Sequence, residues 1–149
     1  MRLGGRILMI IGIIVTVISA LFCIIGLSTK GWVGGYGLFC DGCYKPPAAL
    51  SVISFILLIV TIIALVLQMF EILTGALQLV PITLLFVATI FLLGTFASAA
   101  QWALNYSFVS ATPRARNYSF DLMVVAHFCS YIALAIIAYW LGQSSAGSN

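Results

Sequence analysis

Residues 7–28 read ILMIIGIIVTVISALFCIIGLS, twenty-two residues without one charge. At 1.5 Å per residue, a helix of that length crosses the roughly 30 Å hydrocarbon core of a bilayer. Apolar and polar positions do not alternate here, so the stretch is not a strand of a membrane barrel. Arg2 and Arg6 precede it, as basic residues precede a signal peptide. A signal peptide's apolar region is only about 7–15 residues long, however, and Val17-Ile18-Ser19-Ala20 is a poor small-residue cleavage site. The stretch is therefore read as a retained transmembrane helix.

Three more runs follow the same logic. Residues 46–70 are free of charge beyond Lys45, and residues 122–142 are free of charge beyond Asp121. The run 72–113 is too long for one crossing. Pro81 divides it, because proline suits the first turn of a helix and disrupts its middle. The expected spans are 7–28, 48–70, 81–103 and 122–142, with residues 71–80 as a tight hairpin, in a single domain covering 1–149. Composition agrees: 64% of the 149 residues are hydrophobic, 6% are charged, and the mean hydropathy is +1.25. A soluble domain carries about 25% charged residues. A water-soluble globule, a disordered chain and a nucleic-acid binder are all excluded, and a net charge of +3 is too small and scattered for a polyanionic partner. The expected fold is an all-α membrane protein, a four-transmembrane-helix bundle whose first partner is the lipid bilayer.

Orientation follows from the loops. Arg2 and Arg6 favour a cytoplasmic N-terminus, whereas Lys30, Lys45, Arg114 and Arg116 would draw the first and third loops to the same side. Cys40 and Cys43 in the first loop suit an oxidising compartment. The third loop carries two glycosylation sequons, at Asn105-Tyr106-Ser107 and Asn117-Tyr118-Ser119. Both features place these loops outside and both termini in the cytoplasm. The repeated Asn-Tyr-Ser-Phe at 105–108 and 117–120 reads first as an aromatic belt at headgroup depth. Of its two asparagines, Asn117 is the better glycan acceptor, because Asn105 directly follows a span.

Small residues recur at helical spacing in every span: Gly12, Thr16, Ala20 and Cys23; Ser51, Ser54, Thr61 and Gln68; Gly94, Ser98 and Gln101; Ala126, Ser130 and Ala133. Such stripes let helix backbones approach and hydroxyls bond across them. Four helices need internal contacts first, so the stripes are expected inside the bundle before any seam between copies. His127 is the one ionisable group well inside a span; a neutral imidazole bonded to Ser130 or to a backbone carbonyl accounts for it. There is no acidic or basic partner for a proton relay, no catalytic constellation, no phosphate loop, no metal-ligand cluster and no cofactor motif. No enzyme activity is expected.

Cys40-Asp41-Gly42-Cys43 admits two readings. It is either a structural disulfide closing the loop around the Asp41-Gly42 turn, or a redox-active pair. Zinc would need further ligands, and Cys23, His127 and Cys129 lie in the spans. Four helices with a Cys-x-x-Cys in the first outer loop resemble the DsbB-type disulfide oxidases. That family also carries a second cysteine pair in the later outer loop, and none occurs between Leu104 and Asp121.

The first loop as a whole carries another resemblance. It reads Ser28-Thr29-Lys30-Gly31-Trp32, then Gly37-Leu38-Phe39-Cys40, then Cys43. Trp32, Gly37, Leu38, Cys40 and Cys43 are similar in type and order to the signature of the claudin superfamily, which includes peripheral myelin proteins and stargazin-like channel auxiliaries. Phe39 stands where that family has a second Trp. The resemblance implies four helices, cytoplasmic termini, a signature-bearing first extracellular loop, and a disulfide between Cys40 and Cys43. The stretch 29–47 has room for a two-stranded hairpin only, so the family's pore-lining sheet is not implied. The function implied is association within the membrane and through the outer loops, with itself or with another integral membrane protein. Trp32, Gly37, Leu38 and Phe39 would form the partner-binding motif. A plasma-membrane component of cell junctions is the first expectation, an auxiliary subunit of a channel or receptor the second, and a thiol-redox membrane enzyme the third.

Overall fold

The computed structural model describes residues 3–30, 32, 37, 39, 45–110 and 118–146. Four helices account for nearly all of them: α1 (Leu3–Ser28), α2 (Pro46–Met69), α3 (Val80–Ser110) and α4 (Tyr118–Ala146). A short 3-10 helix, Gly75–Leu79, leads into α3. All four are long and apolar enough to cross a membrane. The fold is an all-α bundle of four candidate spans, as the charge-free runs require.

Local sequence sets the helix ends. Pro46 and Pro47 open α2, where missing N–H groups cost nothing. Pro81 lies in the first turn of α3. Residues 71–80, expected as a tight hairpin, join α2 to α3 through a turn and the 3-10 helix. The helices also outrun the lengths expected from apolarity alone. α3 continues to Ser110 and α4 begins at Tyr118, because a helix need not stop where the hydrocarbon does.

The helices form a ring in chain order. α1 packs most closely on α4, and α2 on α3; the α1–α2 and α3–α4 contacts complete it, and the diagonal pairs barely meet. The start of α1 and the end of α4 therefore lie on one face, with the α2–α3 turn. This is the terminal face, and the opposite end is the loop face. Arg6 and Lys30 of the first segment are separated by roughly 36 Å at helical rise, enough to place each charge beyond the hydrocarbon.

The inward positions repeat in steps of three and four. In α1 they are Met9, Gly12, Thr16, Ser19, Cys23 and Gly26. In α4 they are Ser119, Met123, Ala126, Ser130, Ala133, Ile137 and Trp140. α2 repeats the pattern from Pro47 through Ser51, Ser54, Leu58, Thr61 and Leu65 to Gln68. α3 repeats it from Pro81 through Leu85, Ala88, Leu92 and Thr95 to Ala99. A 3.5-residue repeat keeps a seam facing its neighbour at the shallow left-handed crossing common in membrane bundles.

Lipid is as apolar as leucine, so close packing and hydrogen bonds hold such helices together. The α1–α4 seam shows both. A Cβ added at Gly12 would stand 3.0 Å from Ile137 Cγ1, and one at Gly26 would stand 3.0 Å from Met123 Cγ and Sδ. Ser19 Oγ donates across the seam to the Ala126 carbonyl at 2.7 Å. Most other buried hydroxyls bond back to their own helix, as Thr16 does to the Gly12 carbonyl and Thr61 to that of Leu57. The small-residue stripes of α1, α2 and α4 all face inward. The α3 stripe does not: Gly94 and Ser98 are half-buried and Gln101 is exposed. Ser98 Oγ is satisfied by the Gly94 carbonyl of its own helix at 2.7 Å, so its polarity does not pull it inside.

Candidate interaction site at the loop face

The last four carbonyls of a helix need partners from outside it. At the loop end of α1, the Ile25 carbonyl accepts the Thr29 N–H at 3.2 Å and the Ser28 hydroxyl at 3.2 Å. The Gly26 carbonyl accepts Trp32 Nε1 at 2.7 Å. Trp32 is 0% exposed and belongs to the core. Its N–H satisfies an orphan carbonyl while its rings plug the loop end of the bundle. Trp32 thus acts from inside the fold: it positions the loop and offers no surface to a partner.

The start of α4 is pinned to the same place. Thr29 Oγ1 and Ser119 Oγ lie 2.5 Å apart. Phe120 meets Phe96 of α3 with ring centroids 5.3 Å apart. α4 begins only two residues before Phe120, whereas α3 runs on from Phe96 to Ser110. That continuation is roughly 21 Å at helical rise. α3 therefore rises well above the start of α4. Ala99 and Ala103 are buried on this extension, while Leu104 and Asn105 are exposed.

Among the described residues, three large apolar or aromatic side chains at this end are more than half exposed. Phe39, Leu104 and Tyr118 expose between 59 and 66% of their surface. Of the first-loop motif, Gly37 is half-buried beside Lys30, and Phe39 is open. Leu38, Cys40 and Cys43 lie outside the described residues, as does Asn117. Asn105 is exposed on α3 as part of the helix itself. Among the described residues the cysteines are Cys23 and Cys129, both free thiols.

His127 is buried, and its Nδ1 has no hydrogen-bond partner. Ser130 donates to the His127 backbone carbonyl at 2.7 Å, so it is not the bond to the ring that the sequence suggested. The imidazole meets Tyr131 edge-on, with centroids 4.5 Å apart. Among the described residues, no three His, Cys, Asp or Glu side chains could share a metal ion.

Leu104 and Tyr118 were not legible as site residues. Leu104 reads as the end of a span, and only the length of α3 lifts it clear of the bundle. The chain matches no family model, no curated protein and no solved structure.

Proposed function

We propose that the protein is a non-enzymatic, claudin-like tetraspan of the plasma membrane that associates through its loop face with itself or with another integral membrane protein, as a structural component of cell junctions. The observation that carries this reading is the exposed group Phe39, Leu104 and Tyr118. Large apolar side chains left uncovered at the loop end of a membrane bundle suit a protein contact, where aromatic residues are enriched among the strongest contributors. Trp32 supports it by tying the loop to the core. In this reading both termini are cytoplasmic, and a disulfide between Cys40 and Cys43 fixes the loop tip.

Native-detergent pull-down of the tagged full chain, with imaging at cell contacts, tests the reading. Phe39→Ser combined with Leu104→Ser should leave the protein inserted and folded while reducing recovery of its partner and its continuous staining along contacts. Cys40→Ser should act the same way. Full association in the double variant would refute the loop-face reading. Co-purification with a single channel would make the protein an auxiliary subunit. Cysteines 40 and 43 trapped half-reduced and exchanging with added thiol would make it a redox enzyme.

A further inference from the structure

The turn between α2 and α3 faces the other way, and its chemistry is unlike that of a water-facing turn. Residues 70–79 contain no lysine or arginine, and their one charged residue is Glu71, at the turn's start. Phe70, Ile72, Leu77 and Leu79 each expose between 53 and 66% of their surface. A turn bathed in water would carry polar residues there, since nothing else covers the apolar side chains.

The backbone of the turn is closed on itself. The Phe70 N–H bonds the Val66 carbonyl, the Glu71 N–H the Gln68 carbonyl at 2.9 Å, and the Ile72 N–H the Leu67 carbonyl at 3.1 Å. This is a Schellman ending, with Glu71 taking the left-handed conformation at φ +59° that usually falls to glycine. The Leu77 N–H then bonds the Thr74 carbonyl, and the Val80 N–H bonds that of Leu77. Internal closure is what a backbone needs where water is scarce.

Depth completes the picture. Cys23 Sγ lies 3.9 Å from the Ser51 carbonyl. Seventeen residues from that level toward the terminal face stand Arg6 on α1, which is exposed, and Gln68 on α2, which is buried. Arg6 marks the headgroup layer, where basic side chains settle. Residues 70–79 follow Gln68 directly. They continue the lipid-facing belt that includes exposed Ile63 and Leu67 on α2 and Val80 and Phe86 on α3.

We propose that residues 70–79 form an interfacial wedge whose partner is the lipid surface of the terminal face, with Phe70, Ile72, Leu77 and Leu79 in the boundary between headgroups and acyl chains. The proposal rests on the four-span fold alone and is independent of what the loop face binds.

The test uses the full chain reconstituted in phosphatidylcholine vesicles, with a photo-crosslinking benzoylphenylalanine at position 77 or, separately, at 72. Both positions are exposed, so both variants should fold, and two sites guard against a local defect in one. Mass spectrometry after irradiation should find phosphatidylcholine adducts at both, in yields comparable with those at the belt position Ile63. Loss of the lipid adduct at both positions, with the belt position Ile63 still labelled, would overturn the proposal. Adducts dominated by a second copy of the chain would also overturn it, because the apolar face would then be a protein interface.

Discussion

Replacing Trp32 with alanine separates a residue that builds the loop face from one that touches a partner. The indole is wholly buried, and its Nε1 is 2.7 Å from the Gly26 carbonyl. Truncating a buried Trp to alanine costs about 3–5 kcal/mol, because contacts are lost and a cavity remains. The Gly26 carbonyl would keep only the long 3.4 Å bond from Thr29 Oγ1. Trp32→Phe retains most of the volume and loses the N–H donor, so its cost should be near that of one hydrogen bond, about 0.5–1.5 kcal/mol. Equilibrium unfolding in mild detergent should rank the three as wild type, then Trp32→Phe, then Trp32→Ala. Partner recovery should fall with the folded fraction and no further. An alanine variant as stable as wild type that no longer binds would refute the reasoning and make Trp32 a contact residue.

The α1–α4 seam should respond to size. Gly26→Leu drives a side chain into Met123 and the Ser119 carbonyl, 3.4 Å from a Cβ there, and should destabilise the bundle by about 1–3 kcal/mol or more in the same unfolding assay. Gly94→Ala, whose Cβ would meet only Leu50 at 3.4 Å, should change little by comparison. Ser19→Ala removes the 2.7 Å bond to the Ala126 carbonyl and should cost about 0.6 kcal/mol, the average for such bonds between membrane helices. Gln68→Leu runs in the opposite direction. The Gln68 Nε2 and Oε1 are buried without partners, so removing them should leave stability unchanged or raise it by about 1–3 kcal/mol. A clear loss in Gln68→Leu would mean that the amide is bonded in the membrane.

Span number and approximate depth could be read from the chain because hydrocarbon imposes a one-dimensional rule: about 20 residues without a charge, closed by a helix's own hydrogen bonds. Pro81 divided the longest run for an equally local reason, its fit to a first turn. Which face of each helix looks inward is another matter. The lipid-facing side of α1 carries Ile7, Ile14 and Leu21, as apolar as anything in the core, so hydropathy does not separate the two faces. Side-chain size does so in α1, α2 and α4, where small residues allow close approach. It misleads in α3, where Gly94 and Ser98 are only half-buried while Leu85 and Leu92 turn inward to fill the space that small neighbours leave. The loop face shows the same division. A tryptophan just past a span reads as an interfacial ring from sequence. Its place in the core depends on the Gly26 carbonyl left open by the end of α1, and on how closely α4 approaches there. Phe39, Leu104 and Tyr118 share an end of the molecule because the four helices alternate in direction, and Leu104 stands clear there because α3 outruns α4. Composition sets what must be in lipid; close packing between particular helices decides what faces what, because in a bilayer the hydrophobic effect no longer tells inside from outside.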